Sequence, residues 1–268
     1  MSISRRLDEA RNAFTRRDRT ASASAHDPER IARAAAEEHG GTGSQYIGDL
    51  VYGGLDGIIT TFAVVSGVAG ADLGTGVVLI LGLANLLADG FSMATGAFLS
   101  SKSEKEYYDK EREREMWEVE HFPEGERAEL CEIYRRQGYS KEEARQLVEI
   151  KSREKERWVD AMMVEELGLV KDERNPLLNG LATLAAFIVA GSVPLLVYLA
   201  GLVVPVPSES AFPVSLALSG LALFGLGVAK VRVTYQNPLR SGAEMLLVGG
   251  LAAAVAYGTG ALLRGLGL

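Results

Sequence analysis

Five long apolar stretches that carry almost no charge, in a chain with two strongly charged segments, constrain the fold more than any other feature. A helix of about 20 largely apolar residues spans the roughly 30 Å hydrocarbon layer of a membrane, and each stretch is about that long or longer. The sequence therefore predicts an all-α membrane protein with five transmembrane helices. The predicted spans are Ile47–Gly70, Thr75–Leu99, Leu177–Val204, Pro213–Val231 and Gly242–Leu263.

The distribution of Lys and Arg predicts the orientation of these helices. Eight of the 28 basic residues precede Ile47, sixteen lie between Lys102 and Arg174, and three lie between residues 230 and 240. Cytoplasmic loops of membrane proteins carry the excess of positive charge. The N-terminus and the segment after the second helix are therefore predicted to be cytosolic, and Arg264 alone falls on the opposite side.

The same pattern divides the chain into four segments. Residues 1–45 form a polar cytosolic N-terminal segment, 46–100 the first two transmembrane helices, 101–175 a cytosolic helical domain, and 176–268 the last three transmembrane helices. Within the first segment, residues 1–25 have the polar, Ser- and Arg-rich composition of poorly ordered chain. An amphipathic helix capped by its first residue is predicted at Asp27–Glu38.

The inserted segment is predicted to contain three helices. The first runs from Ser103 to about Glu120, either as a separate helix or as a continuation of the second transmembrane helix. The second is Pro123–Arg136, because proline suits the first helical turn. A capping box at Ser140, with a glutamate three residues later, begins the third helix. This third helix is predicted to continue to Leu167 and to end at Gly168.

Small residues lie at helix-packing spacing in the first two spans. Gly53 and Gly57 form a GxxxG motif, and Gly90, Ala94 and Ala97 keep one face of the second helix small. Small residues let helix backbones approach closely in lipid. The spacing does not distinguish packing within the chain from a dimer face.

Several polar side chains lie inside the first two spans, where a charged group is costly and suggests a functional site. Asp49 and Asp56 share one face of the first helix, and Asn85, Asp89 and Met93 follow at four-residue spacing on the second. A carboxylate and a thioether at similar depth suit Fe²⁺ better than Ca²⁺ or Mg²⁺, which prefer oxygen alone. The alternatives are an interfacial cap for Asp49 and apolar packing for Met93.

The inserted segment repeats this combination of carboxylates and thioethers. Its glutamates occur in pairs three residues apart, which places both carboxylates of a pair on one helix face. Two adjacent methionines precede a further glutamate. The alternatives are a hydrated acidic face and methionines that pack in a core. These candidate metal ligands are Glu115, Glu118, Glu126, Glu129, Met162, Met163 and Glu166.

Other classes of function lack support in the sequence. The net charge of −7 argues against nucleic-acid binding, which needs clustered cations. The one cysteine, Cys131, cannot form an internal disulfide or a thiolate cluster. Glu118 and His121 give one Glu-x-x-His motif, whereas a ferritin-like di-iron site needs two. No nucleotide-binding or hydrolase motif is present, so the chain is not expected to be an enzyme.

Three long motifs resemble those of the vacuolar iron transporter family. The first is DLVYGGLDGIITTFA at residues 49–63, and the second is GLANLLADGFSM at residues 82–93, followed by KSE at 102–104. The third is MMVEELGL at residues 162–169. The resemblance covers about residues 45–265 and has the same order of two helices, an insert and three helices.

The resemblance implies a homodimeric exchanger that moves Fe²⁺ out of the cytosol against H⁺, along a path at the dimer interface, between the first and second helices. Asp49, Asp56 and Met93 would line this path, and the seven candidate ligands of the insert would collect the metal. Fe²⁺ is then a substrate, no cofactor is tightly bound, and Mn²⁺, Zn²⁺ or Co²⁺ could occupy the cytosolic site. Plant-type members have a glutamate at the position of Asn85 and a small residue at that of Asp89. In this chain the acidic side chain therefore lies one helical turn further along the second helix.

Three other interpretations are compatible with these residues. A membrane-anchored sensor or store would bind metal without transporting it, which leaves Asp56 and Asp89 unexplained. A redox enzyme would oxidise iron on the insert, and a manganese transporter would use the same ligands. The expected partners are the lipid membrane, Fe²⁺, H⁺ and a second copy of the chain, with no nucleic acid. A prokaryotic cell membrane and a vacuolar membrane are equally compatible with the sequence.

Overall fold

The computed structural model describes residues 3–35, 46–234 and 236–267, and within these ranges its regular elements are helices. Five helical segments among the described residues, one of them the interrupted segment Pro176–Ala200, are long and apolar enough to cross a membrane, which confirms the all-α prediction and its five long apolar segments. The α-helices are α1 (Ile3–Arg16), α2 (Arg19–Ala25), α3 (Pro28–Ala35), α4 (Ile47–Gly70), α5 (Thr75–His121), α6 (Pro123–Arg136), α7 (Lys141–Lys151), α8 (Lys155–Glu165), α9 (Pro176–Gly191), α10 (Leu196–Ala200), α11 (Ser208–Thr234) and α12 (Pro238–Gly265).

The chain divides into two compact units. Unit 1 comprises Met1–Ala94 and Leu181–Leu268, and unit 2 comprises Thr95–Gly180. In unit 1, α4 packs against α11 and α12, and an apolar cluster that includes Val65, Leu86 and Phe187 forms part of the core. Unit 2 has its own apolar core.

The predicted poor order of residues 1–25 is wrong for the described residues 3–25, which form α1 and α2. The carboxylate of Asp18 accepts two backbone N–H groups in the first turn of α2, and Arg30 pairs with Glu9 at 2.6 Å. The helix cap and the ion pair, which joins residues far apart in the sequence, stabilise folded structure in a segment whose composition favours disorder. The capping of α3 by Asp27 is confirmed, and the predicted end of that helix, residues 36–38, lies outside the described residues.

The GxxxG motif of α4 is used for packing within the chain. A Cβ atom added to Gly53 would lie 2.7 Å from the carbonyl oxygen of Thr183, and one added to Gly57 would lie 2.5 Å from that of Phe187. Because both carbonyls belong to α9, the motif lets two helices of unit 1 come into backbone contact. Of the two alternatives left open by the spacing, the structure selects packing within the chain.

The third predicted span, Leu177–Val204, is interrupted rather than continuous. Helix α9 ends at Gly191, a 3₁₀ turn covers Val193–Leu195, and α10 then completes the span. Pro194 causes the break because it has no backbone N–H and its ring clashes with the preceding helical turn. The carbonyl of Pro194 accepts a hydrogen bond from Ser215 Oγ at 2.6 Å, which satisfies a buried polar group in this apolar region.

The predicted third helix of unit 2 is also interrupted. Ser140 forms the predicted capping box with Glu143, but α7 ends at Lys151 and α8 begins after Glu154, whose backbone is extended. A continuous helix to Leu167 would be roughly 40 Å long, about twice the length of α6. The break lets α7 and α8 both pack against α6, around one core. That core consists of Val119, Leu130, Tyr134, Ala144, Val148, Trp158, Val159, Ala161, Met162 and Met163.

Candidate metal centre and transport path

Three of the predicted carboxylate ligands converge in unit 2. Glu115 of α5, Glu126 of α6 and Glu166, directly after α8, each present an oxygen atom, and these atoms lie within 4.8 Å of one another. We call this group the carboxylate cluster. Its members come from α5, from α6 and from the position directly after α8. The glutamate pairs predicted from the sequence, in contrast, each lie on a single helix. Such a cluster can surround a divalent cation with oxygen ligands.

Two members of the carboxylate cluster are buried without adequate hydrogen bonding. Glu115 is 0% exposed, and neither of its carboxylate oxygens takes part in a hydrogen bond with the described residues. Glu126 is also buried, and its Oε2 atom has no such partner. An ionised carboxylate in this position is costly unless a cation neutralises it. Nη2 of Arg114 lies 2.6 Å from Oε1 of Glu115, but neither oxygen of Glu115 is hydrogen-bonded within the described residues, so the cluster can accept a further cation.

Burial and mutual repulsion raise the pKa values of the carboxylate cluster. Burial, followed by the charge of Glu166, raises the pKa of Glu115 to about 7. Burial, followed by the charge of Glu129, raises the pKa of Glu126 to about 7 and also raises the pKa of Glu166. Near neutral pH the cluster therefore holds protons, which a bound metal would displace.

Removing the ionisable group of Glu115 should change how stability depends on pH. Its folded-state pKa of about 7 exceeds the ordinary value of 4.5, so its contribution to stability is present below pH 4.5 and is lost as pH rises through about 7. We expect Glu115→Gln to stabilise the protein at pH 8 by on the order of 2 kcal/mol and to have little effect at pH 4.5. Thermal unfolding in detergent with a chelator, at both pH values, measures this difference.

Glu124→Gln is the matched control for this prediction. Glu124 lies on α6, is largely exposed and pairs with Arg127, so the same chemical change there should leave the pH dependence unaltered. A Glu115→Gln protein that unfolds at the wild-type temperature at pH 8 would contradict the prediction.

Ion pairs dock α8 against α5 and thereby place the cluster. Nη2 of Arg112 lies 2.6 Å from Glu156 Oε2 and 3.1 Å from Asp160 Oδ1. Because Glu166 directly follows α8, this docking fixes its carboxylate relative to Glu115 on α5. The ion pairs join residues more than 40 positions apart, so their pairing could not be predicted from local spacing.

The remaining predicted ligands have different environments. Met162 and Met163 are both 0% exposed and belong to the core of unit 2, as the core-packing alternative requires. They precede Glu166 by four and three residues and so lie on its side of the helix. Glu118 pairs with Arg114, and Glu129 is exposed. Their roles as ligands stay predictions.

Arg114 is a residue of this site that the sequence analysis missed. Its guanidinium contacts Glu115 and Glu118, and its Nε atom lies 3.0 Å from Glu111 Oε2. The spacing carried a signal, because Arg114 stands three residues after Glu111 and four before Glu118, and both intervals place side chains side by side on a helix.

In unit 1, the structure brings together two of the predicted path residues. Asp56 of α4 is half-buried and lies close enough to Asp89 of α5 for their charges to repel each other. The amide nitrogen of Asn85 is buried with no hydrogen-bond partner among the described residues. Met93 is half-buried against the apolar cluster of unit 1, and Asp49 is half-buried near the start of α4. The transport roles of these five residues stay predictions.

Comparison with known proteins gives consistent matches over most of the chain. The model of the VIT family matches residues 47–261. A vacuolar iron transporter of Toxoplasma gondii is 40% identical, over 97% of this chain and 89% of the relative. A vacuolar iron transporter of Plasmodium falciparum is 34% identical over 98% of both chains. Vacuolar iron transporter 1 of Arabidopsis thaliana is 34% identical over 81% of this chain and 85% of the relative.

Proposed function

The chain belongs to the VIT family, and on that premise we propose that it carries Fe²⁺ across a membrane, out of the cytosol and in exchange for H⁺. It is an integral membrane protein with five long apolar helices, and its relatives are named vacuolar iron transporters. The observation that most supports metal transport is the carboxylate cluster, in which Glu115 is fully buried and its oxygens are unsatisfied.

In the first step of the proposed mechanism, unit 2 captures metal from the cytosol. The carboxylate cluster supplies hard oxygen ligands, with Glu118 and Glu129 close in sequence. Met162 and Met163 supply soft sulfur ligands. This mixture of oxygen and sulfur ligands suits a divalent metal of intermediate hardness, such as Fe²⁺. Because Mn²⁺ accepts the same ligands, Mn²⁺ is the second substrate of the proposed transporter.

In the second step, the metal moves along a path lined by the polar residues of α4 and α5. The carboxylate of Asp56, beside that of Asp89, releases its proton and neutralises the cation, since an uncompensated charge in hydrocarbon is costly. A proton from the far side then reprotonates Asp56 and weakens its hold on the metal. Asp49, Asn85 and Met93 contribute the remaining polar or polarisable contacts.

The proposed assembly is a homodimer with both N-termini and both copies of unit 2 in the cytosol. The positive-inside distribution supports this orientation. Large apolar side chains of α5 are exposed on the single chain, among them Ile80, Leu83 and Leu87, and this surface can face lipid or a second copy. The GxxxG face of α4 is already occupied by α9, so the dimer contact must use other surfaces of α4 and α5.

Anaerobic Fe²⁺ uptake into proteoliposomes that contain a pH-sensitive dye tests the proposal. We expect metal to enter only vesicles that contain the protein, and the lumen to lose protons as it does so. Metal entry without a pH change would overturn the exchange step. Tight Fe²⁺ binding without entry would favour the sensor or storage alternative.

A further inference from the structure

We propose that Arg114 is a built-in competitor of the metal at the carboxylate cluster, which limits how tightly unit 2 holds its cargo. The inference rests on the proposed function, because it assumes that the cluster binds a divalent cation. It goes beyond that function by assigning a role to a residue that is not itself a metal ligand.

Arg114 is already bound by carboxylates on its own helix. Its Nη2 atom lies 2.6 Å from Glu115 Oε1, its Nε atom lies 3.0 Å from Glu111 Oε2, and its Nη1 atom contacts Glu118. The contact with Glu115 is close but is not oriented as a hydrogen bond, since both oxygens of that carboxylate remain unsatisfied. The guanidinium therefore supplies positive charge without completing the coordination of Glu115.

The charge of Arg114 also acts on the rest of the cluster. Its electrostatic influence reaches Glu126 on α6 and Glu166 after α8. A divalent cation among these carboxylates would be repelled by the guanidinium and would compete with it for the oxygens of Glu115. Metal binding and the Arg114 contacts thus oppose each other.

The difference in burial between Arg114 and Glu115 determines which side chain moves when a metal binds. The side chain of Glu115 is 0% exposed, whereas that of Arg114 is 41% exposed. Arg114 can rotate into solvent when a metal binds, whereas the side chain of Glu115 is enclosed by protein. Loss of the arginine contacts on binding weakens the net affinity, and a carrier site must release its ion as well as load it.

Metal titration of the full-length protein in detergent tests this role. We use Mn²⁺, which is stable in air, at pH 8 and low salt, and measure affinity by calorimetry. We expect Arg114→Gln to bind Mn²⁺ about tenfold more tightly than wild type, because several partly exposed ion pairs no longer oppose binding. Arg135→Gln is the matched control. It removes an equal charge from a residue that pairs with Glu132, and it should leave the affinity unchanged.

A second measurement separates competition from a merely structural role. In Arg114→Ala, methylguanidinium should occupy the space of the lost side chain and reduce Mn²⁺ affinity toward the wild-type value, whereas the same concentration of tetramethylammonium should not. Equal or weaker Mn²⁺ binding by Arg114→Gln, or equal effects of the two cations, would overturn the inference alone. Absence of binding in both wild type and Arg114→Gln would overturn the metal site of the proposed function as well.

Discussion

Replacing Asp56 with asparagine is expected to reduce Fe²⁺ flux into proteoliposomes by about 100-fold, because an uncompensated charge inside a membrane costs about 3 kcal/mol and about 1.36 kcal/mol corresponds to a factor of ten in rate. Asparagine has nearly the same size and polarity, but it cannot carry a negative charge or exchange a proton. A divalent cation at this depth would then face hydrocarbon with one neutralising carboxylate fewer. The proton-coupled step of the proposed cycle would also lose its carrier.

Two controls make this result specific. Asp72→Asn changes another aspartate near the end of the same helix, but Asp72 is exposed and pairs with Arg264 at 2.8 Å, so flux should persist. Mn²⁺ binding by the carboxylate cluster should be unchanged in Asp56→Asn, since its ligands are in unit 2. Proton-coupled flux near the wild-type rate in Asp56→Asn would refute the proposed role of this residue.

The second large effect is expected from Gly260→Ala, at the contact between α12 and α4. A Cβ atom on Gly260 would lie 2.1 Å from the carbonyl oxygen of Gly67 and 2.9 Å from the amide nitrogen of Ala71. Both are backbone atoms, which cannot move aside as a flexible side chain can. The two helices must separate, and we expect a loss of about 3 kcal/mol of stability, seen as a lower unfolding temperature in detergent.

Gly258→Ala provides an internal comparison on the same helix. No atom lies within 4 Å of a Cβ placed there. Both substitutions raise helix propensity by a similar amount, about 1 kcal/mol at most, so their difference isolates the steric contact. Equal unfolding temperatures for the two variants would show that α4 and α12 do not pack as closely as the structure has them.

The transmembrane helices were predictable because their signal is local. Helix α4 has the predicted bounds Ile47–Gly70, because a long apolar run is visible in a short segment of sequence. Helix α6 has the predicted bounds Pro123–Arg136, because a proline in the first turn marks where a helix begins. The interruptions were not predicted. Pro194 was visible in the sequence, but hydropathy averaged over a window takes no account of one missing N–H. The break before α8 depends on the core that α7 and α8 share with α6.

The candidate metal centre was predictable in residue type but not in arrangement. Glutamate pairs and a methionine pair pointed to the inserted segment, where the structure brings three carboxylates together. The spacing suggested that Glu115 would act with Glu118, whereas the structure groups Glu115 with Glu126 and Glu166. Helical periodicity predicts neighbours on one helix, but which helices meet is decided by the packing of their apolar faces.

By itself, the sequence determined that this is an all-helical chain with five long apolar helices, a strongly charged insert and the motifs of a metal transporter family. These properties depend on the order of residues along short segments. Only the tertiary structure decided which carboxylates converge, that Arg114 lies against them, and that the GxxxG face of α4 packs against α9. These outcomes depend on contacts between residues far apart in the chain, whose free energy is realised only when the helices have docked.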